Sequence, residues 1–200
     1  IGGGKTFMEY MEEMTKAFQY EKKLSEYCIS HGTSKVSCVI AAGEEVLSGY
    51  TFPIVPYLIF EMATGDIRQK LQYSNALDFA WKLKSLHDIA VGIKQLHSIN
   101  VSHQDIKPSN VLLFNTESKI GDLGRSMCPT LHGPYDEMPF SGDNTYAPPE
   151  VWFNSHIHLE WHERNYAIDC YLLGSLITYY ITGLCMTALL QAEINLTWRG

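Results

Sequence analysis

The sequence has little that would direct it to nucleic acid, to a secretory route or to an oxidising compartment. Its 15 Lys and Arg residues, against 22 Asp and Glu, form no basic run, so nucleic acid is a poor candidate partner. Residues 1–5 lack the apolar stretch of a signal peptide, and there is no initial Met, so we expect a fragment of a longer protein. The odd number of scattered cysteines, without a Cys-x-x-Cys pair, predicts reduced thiols and a cytoplasmic location: Cys28, Cys38, Cys128, Cys170 and Cys185.

The composition is that of an ordinary globular chain. Two hundred residues are enough for one domain with a sizeable core, and 46% of them are hydrophobic while 18% are charged. A disordered chain would have fewer apolar residues and a higher net charge than the −7 found here.

A helix is predicted over residues 8–30. Apolar residues recur there at spacings of three and four: Met11, Met14, Phe18, Leu24 and Cys28. Glu21 falls on the same stripe, where an unpaired carboxylate would be costly. Glu21 therefore either pairs with a cation or lies at the margin of the helix.

Short β-branched or aromatic runs predict strands over 36–40 and 57–61. Pro53 and Pro56 bracket the approach to the second run, which argues against a longer strand there.

Two further helices are predicted. Gly65 breaks the chain, and Asp66 can then cap a helix that starts at Ile67. An apolar stripe indicates a longer helix over 77–97: Leu83, Leu86, Ala90, Ile93 and Leu96.

The residues with the most chemical potential lie in 103–110, which reads His-Gln-Asp-Ile-Lys-Pro-Ser-Asn. A second acid, Asp122, follows in Asp-Leu-Gly. Residues 111–121 between them read as a tight hairpin. A hairpin returns the chain on itself, so we expect Asp122 to lie beside Asp105 and Asn110.

The C-terminal third contains a long loop and an uncharged run. Residues 125–149 are polar and broken by Pro and Gly, and a loop of this length is usually functional. For 151–168 we predict a solvated loop, with a metal site as the alternative at His156, His158 and His162. The uncharged run 170–190 is long enough to cross a membrane, but its Thr, Tyr and Gly residues favour a buried core helix.

These motifs resemble, in order and spacing, those of eukaryotic-type protein kinases. Residues 103–110 resemble the catalytic loop, with Gln104 where the family usually has Arg. The triplet 122–124 resembles the metal-binding turn, with Leu123 where Phe is usual. Residues 142–150 resemble the end of an activation segment, and 169–174 resemble the start of the central helix of the large lobe.

The resemblance implies an α+β, two-lobed protein-kinase-like fold. Residues 1–62 would form part of the small β-rich lobe, and 63–200 part of the mainly helical large lobe. The Gly-rich phosphate loop would precede Lys5 and the terminal helices would follow Gly200, so we expect a domain that is cut at both ends.

The activity implied is transfer of the ATP γ-phosphoryl group to Ser or Thr hydroxyls of a protein substrate, with Mg²⁺ as cofactor. Asp105 would orient the attacking hydroxyl, and Lys107 would neutralise charge on the transferred group. Asn110 and Asp122 would bind Mg²⁺. Lys107 favours Ser/Thr over Tyr specificity, since Tyr kinases generally lack this Lys.

The resemblance also implies a nucleotide site. Lys5 and Glu21 would pair to hold the α- and β-phosphates, and Leu112 would lie beneath the adenine. Asp66 would lie near the ribose. Phe60 would guard the back of the pocket, followed by a hinge that bonds the adenine edge through its backbone: Glu61, Met62 and Ala63.

Two departures from the family pattern have consequences. Gln104 lacks the guanidinium that grips a phosphorylated activation loop, so we expect activity that does not depend on phosphorylation of that loop. Asp143 stands where Ser/Thr kinases often have Thr, so the peptide-docking floor differs.

Three alternatives remain open at this point. The chain could be a pseudokinase that binds or scaffolds without catalysis, an aminoglycoside-kinase-like enzyme, or a protein anchored in a membrane through 170–190. Lys107 argues against the second, and membrane attachment through segments outside this sequence stays open.

Overall fold

The computed structural model describes residues 6–49, 54–72, 78–155 and 157–194. The helices are α1 (Phe7–Ser30), α2 (Ile67–Gln72), α3 (Phe79–Ser98), α4 (Pro149–Trp152), α5 (Trp161–Thr182) and α6 (Met186–Glu193). The strands are β1 (Val39–Val46), β2 (Ile54–Phe60), β3 (Gly65–Asp66), β4 (Val111–Leu113) and β5 (Ser118–Ile120). Short 3-10 turns lie at Pro108–Asn110 and Leu123–Arg125.

Helix α1 begins with a capping box. The Thr6 hydroxyl accepts a hydrogen bond from the Glu9 amide at 3.3 Å, and the Glu9 carboxylate accepts one from the Thr6 amide at 2.7 Å. Its buried side chains lie in the C-terminal half: Tyr20, Leu24, Ser25 and Cys28. The helix predicted over 8–30 is confirmed.

Strands β1 and β2 form a two-stranded antiparallel sheet in which Ala42 lies opposite Leu58. The strand predicted over 36–40 was wrong in extent, because β1 begins only at Val39. The preceding residues instead bond to β5, where Ile120 accepts from the Ser37 amide at 2.7 Å and donates to the Lys35 carbonyl at 3.0 Å.

The second predicted strand, 57–61, was too short, since β2 begins at Ile54 and includes Pro56. In the described residues β2 pairs on one edge only, and a sheet tolerates proline on such an edge strand.

The core lies mainly where α3 and α5 pack together. Helix α3 confirms the helix predicted over 77–97, with its first turn capped by Asp78. The most buried apolar side chains of these two helices are Ile89, Ile93, Leu96, Ile168, Leu172, Leu176 and Tyr180. Fully burying one such side chain is worth about 1.5–3 kcal/mol, so this pair of helices is the platform for the loops above it.

The predicted hairpin over 111–121 is confirmed as β4 and β5, with Val111 opposite Ile120. Strand β3 pairs with the other edge of β4, where Asp66 lies opposite Leu112. The long connection from 126 to 148 has no helix or strand beyond an isolated bridge between Met127 and Ser102, in agreement with the predicted loop.

The solvated loop predicted over 151–168 was wrong at its C-terminal end, because α5 begins at Trp161. Buried residues recur at three and four from Asn165 onward, so this segment is helical because one face enters the core. His162 bonds Asn100 through its ring at 3.1 Å, and His156 lies outside the described residues. No group of three or more His, Cys, Asp or Glu side chains in the described ranges could hold a metal ion.

The run 170–190 is not one helix. Gly183 ends α5 in the left-handed conformation, φ 74°, with its amide bonded to the Tyr179 carbonyl at 2.8 Å. Within the described residues, no single helix has the length and apolarity to cross a bilayer. Helices α5 and α6, bent by 91°, would meet those criteria only as a pair.

Candidate active site

A cavity of about 570 Å³ lies among α1, the end of β2, the segment that follows β2 and the β4–β5 hairpin. It is lined by most of the residues predicted to bind nucleotide or metal: Glu21, Phe60, Glu61, Met62, Ala63, Asp66, Asn110, Leu112 and Asp122. Ser37, Gly65, Gln69, Ser109 and Gly121 complete the lining. Lys5 lies outside the described residues, so its predicted pairing with Glu21 stays a prediction.

Asp105 is buried and does not itself line this cavity, but it is bonded to Asn110, which does, and both of its carboxylate oxygens are engaged. Oδ2 lies 2.9 Å from Lys107 Nζ and accepts a hydrogen bond from Asn110 Nδ2 at 3.0 Å. Oδ1 accepts from the Asp143 amide at 2.9 Å. The structure thus brings the predicted base, the predicted phosphate-neutralising Lys and a predicted metal ligand into one hydrogen-bonded unit.

The underside of the catalytic loop is held by Asp169 of α5, which is fully buried. Its carboxylate accepts four hydrogen bonds of 2.8–2.9 Å: from the amides of His103 and Gln104, from Ser102 Oγ and from His97 Nε2. A buried carboxylate is tolerated only when it is satisfied in this way. Asp169 therefore fixes the backbone from which Asp105 projects.

His103 joins the catalytic loop to the turn at Asp122. Its Nε2 lies 2.9 Å from the Gly121 carbonyl, and the Asp105 amide donates to Nδ1 at 3.3 Å. Accepting at Nδ1 assigns the ring proton to Nε2, which donates to Gly121. The hairpin and this histidine together place Asp122 next to the catalytic loop.

The turn at 122–124 places its left-handed residue at Asp122, with φ 64°, and the Asp122 carboxylate accepts from the Gly124 amide at 3.3 Å. Asp tolerates this conformation through such local bonds. A Cβ at Gly124 would lie 3.2 Å from Asp122 Oδ1, so a larger residue there would crowd the turn.

Asn110 and Asp122 offer oxygen ligands of the kind that Mg²⁺ prefers. The Asn110 amide nitrogen donates to the Asp105 carbonyl at 2.8 Å as well as to its carboxylate. Asn110 Oδ1 accepts from Ser109 Oγ at 3.2 Å and has a second lone pair with which to bind a cation. Both residues line the same cavity. The donor set therefore fits a hard divalent cation.

Glu21 contributes an unusual charge to the cleft. Burial, followed by the nearby charge of Asp122, raises the pKa of Glu21 to about 7. No described cation forms an ion pair with it. A cation placed between Glu21 and Asp122 would relieve both effects.

The predicted hinge connects β2 to β3. The Thr64 amide bonds the Leu113 carbonyl at 2.8 Å, and Lys119 Nζ lies 2.8 Å from the Glu61 carboxylate. Met62 is 90% exposed and lines the cavity, so this segment is accessible to a ligand. Asp66 caps α2 through a 2.9 Å bond from the Gln69 amide, as predicted.

The sequence did not indicate several residues that position this site. Ser102 and Asn165 bond the Gln104 side chain, which is fully buried and donates to Ser102 Oγ at 2.7 Å. Tyr20 of α1 donates to the Ser126 carbonyl at 2.8 Å and thereby ties α1 to the start of the long connection 126–148. The apolar stripe of α1 could have included Tyr20, but nothing in the sequence indicates the partners of Ser102.

A small antiparallel sheet, a mainly helical remainder and a cavity that Asn110 and Asp122 line, with Asp105 bonded to Asn110, are the features of a kinase-like domain. The protein kinase domain family model matches residues 45–194, and the chain belongs to this family.

Curated relatives agree with this assignment. The chain is 27% identical over 129 residues to an Aurora kinase of Debaryomyces hansenii, a match that covers 64% of the chain and 30% of the relative. It is 32% identical over 130 residues to Aurora/IPL1-related protein kinase 2 of Caenorhabditis briggsae, covering 64% and 39%. It is 31% identical over 127 residues to mitogen-activated protein kinase 5 of Arabidopsis thaliana, covering 63% and 32%. The matches thus span about a third of each relative.

Proposed function

We propose that this domain transfers the γ-phosphoryl group of ATP to Ser or Thr hydroxyls of protein substrates, with Mg²⁺ as cofactor. One observation carries the proposal: Asp105, Lys107 and Asn110 form a hydrogen-bonded unit beside a cavity that Asp122 also lines. Phosphoryl transfer needs positioning and charge neutralisation more than covalent chemistry by the protein, and this unit supplies both.

Each residue has a distinct part in this reaction. Asp105 accepts a hydrogen bond from the incoming hydroxyl and orients its oxygen toward the phosphoryl group. Lys107 offsets the charge on that group, while Asn110 and Asp122 hold Mg²⁺. When bound, the metal ion neutralises charge on the phosphate oxygens. The family resemblance of the Lys107 position supports Ser and Thr as the acceptors.

The cavity would hold the nucleotide. Leu112 and the predicted hinge residues Glu61, Met62 and Ala63 all line it, as residues that contact an adenine would. The cavity volume of about 570 Å³ lies within the range of small-molecule sites. Asp66 and Glu21 also line it, and we assign them to the ribose and the phosphates.

Gln104 supports the proposal that activity is independent of activation-loop phosphorylation. Its amide bonds Ser102 and Asn165 in the interior, and it carries no charge to hold a phosphate. We expect phosphatase treatment of the complete protein to change the transfer rate by less than about threefold, measured with labelled ATP. A change of orders of magnitude would contradict this.

A second candidate is a pseudokinase that binds partners without catalysis. Glu21 favours it, because in the described residues its carboxylate meets the charge of Asp122 and no cation. Without a cation at that point, the phosphates of ATP would meet two acids.

Transfer of labelled phosphate from ATP to protein by the complete protein separates the two candidates. The kinase proposal expects Mg²⁺-dependent incorporation that Asp105→Asn lowers by at least about a hundredfold. Asp136→Asn, which removes a carboxylate outside the site, should retain the rate. Incorporation that is absent or independent of Asp105 would overturn the proposal in favour of the pseudokinase.

A further inference from the structure

Asp143 is held against the catalytic base by its own backbone. Its amide donates to Asp105 Oδ1 at 2.9 Å. The preceding residue, Gly142, packs so closely on the catalytic loop that an added Cβ would lie 2.1 Å from the Gln104 carbonyl oxygen. The Asp143 side chain is therefore fixed beside the point where an acceptor hydroxyl must bind.

The side chain places a second carboxylate on Lys107. Lys107 Nζ lies 2.9 Å from Asp105 and 3.5 Å from Asp143 Oδ2. The other oxygen of Asp143 accepts from the amide and hydroxyl of Thr145 at 2.9 and 2.7 Å. In the part of the chain that the structure describes, two acids thus share one ammonium group, which leaves a negative charge in excess.

Both ends of this contact stay ionised near neutral pH. Partial burial opposes the charged form of Asp143, but hydrogen bonds from Thr145 and the charge of Lys107 lower its pKa overall. Burial likewise opposes the charged form of Lys107, but Asp105 and Asp143 raise its pKa overall. The Asp143 carboxylate is 36% exposed, so a substrate can reach it.

We propose, on the basis of the kinase function above, that Asp143 is a specificity-determining residue that selects acceptor peptides with a cationic side chain next to the phosphorylated Ser or Thr. The acceptor hydroxyl must come within about 3 Å of Asp105. Residues adjacent to it in the peptide have Cα atoms about 3.8 Å further along. A neighbouring Arg can therefore reach the excess negative charge, while a neighbouring acid is repelled.

Such a peptide would also leave Lys107 free to act on the reacting groups. A cation that pairs with Asp143 takes over from Lys107, which then serves Asp105 and the transferred phosphoryl group alone. A Thr hydroxyl at this position would carry no charge and could not discriminate in this way. We expect about a tenfold preference in kcat/KM, which corresponds to about 1.4 kcal/mol.

The test uses the complete protein and fluorescent Ser peptides that differ at one position. One pair has Arg or norleucine directly before the Ser, and a second pair has them directly after it. Peptide Kd is measured by anisotropy and kcat/KM by labelled-ATP transfer. The wild type should prefer Arg about tenfold in at least one pair, Asp143→Asn should lose the preference, and Asp143→Glu should keep it.

Asp136→Asn is the matched control, since Asp136 lies in the same segment but accepts from the Gly133 amide, away from the base. It should keep the preference. A peptide with Asp beside the Ser should be the weakest for the wild type, which tests the charge even if Asp143→Asn fails to fold. Equal values for Arg and norleucine in the wild type, or an unchanged preference in Asp143→Asn, would overturn the inference. Absent transfer would instead overturn the kinase function, while the Kd values would still decide the role of Asp143.

Discussion

The two sides of the catalytic loop 103–110 differ in how their charges are balanced. On the underside, the Asp169 carboxylate is fully buried and accepts four hydrogen bonds. On the cleft side, Glu21 and Asp122 act on each other as like charges, and burial raises the pKa of Glu21 to about 7. The underside is thus complete within the fold, whereas the cleft side has a charge imbalance that a bound cation would remove.

The largest effect is expected when the underside is broken. Asp169→Ala leaves two backbone amides and the His97 ring without their acceptor, and it removes one of the two acceptors of Ser102 Oγ. Removing one partner of a buried charged network costs about 3–5 kcal/mol. Chemical denaturation of the two proteins would measure this loss in the free energy of unfolding. Asp136→Ala, at a partly exposed loop carboxylate, should change it by less than about 1 kcal/mol, and a loss that small for Asp169→Ala would contradict the comparison.

Ser102→Ala tests whether the same network depends on its smaller members. Ser102 Oγ lies 2.9 Å from Asp169 and 3.1 Å from the Asn165 carbonyl, and it accepts from Gln104 Nε2 at 2.7 Å. Leaving buried partners unsatisfied costs about 1–3 kcal/mol. We expect that loss in the free energy of unfolding, against no measurable loss for Ser155→Ala, whose hydroxyl is exposed. Equal losses in the two variants would show that Ser102 is not part of the network.

On the cleft side, removing a carboxylate should stabilise the protein instead of destabilising it. The unfolded Glu21 has a pKa of 4.5 and the folded one about 7, so the native state binds more protons across this window and its stability falls as pH rises through it. Glu21→Gln removes this dependence and should stabilise the protein at pH 8 by about 1–2 kcal/mol, a value reduced for partial exposure.

Urea unfolding at pH 5 and pH 8 would reveal this effect. The stability difference between Glu21→Gln and the wild type should grow with pH. If the two proteins keep a constant difference, Glu21 does not titrate in this window. Glu26→Gln, on the same helix, is the matched control.

The sequence predicted the parts of the site that rest on local order. The motif 103–110, the hairpin after it and Asp122 are close in the chain, so the hairpin and the short-range bond from His103 to Gly121 bring them together. The resemblance to protein kinases then located the hinge and Asp66, which line the same cavity. Their catalytic roles stay predictions.

The parts that sequence reasoning missed depend on contacts distant in the chain. Helix α5 begins at Trp161 because Asn165 and Ile168 enter the core, which a local reading of a His-rich stretch does not reveal. Val36 looked like the start of a strand, but neighbouring backbone groups bond β5 instead. The excess negative charge around Asp143 was also not predictable, because it depends on the contacts that the Lys107 side chain makes in the folded chain.

The smallest effect is expected at the rim of the cleft. Lys119 Nζ lies 2.8 Å from Glu61 and 3.5 Å from Glu117, and the hydrogen bond to Glu61 is the main cause that raises the pKa of Lys119. Glu61 is 54% exposed, and exposed pairs contribute about 0.2–1 kcal/mol. Lys119→Met should therefore cost at most that amount, since Met keeps contact with the Phe114 ring that Lys119 covers.

Salt distinguishes this weak pair from the buried network. The cost of Lys119→Met should shrink as ionic strength rises to about 0.5 M, because solvent-exposed charges are screened within a Debye length. The cost of Asp169→Ala should stay nearly constant over the same range, because buried pairs are screened much less. Parallel salt series of urea unfolding for both variants would measure the contrast. If the two costs fell together, the difference between the two sides of the catalytic loop would not be one of burial.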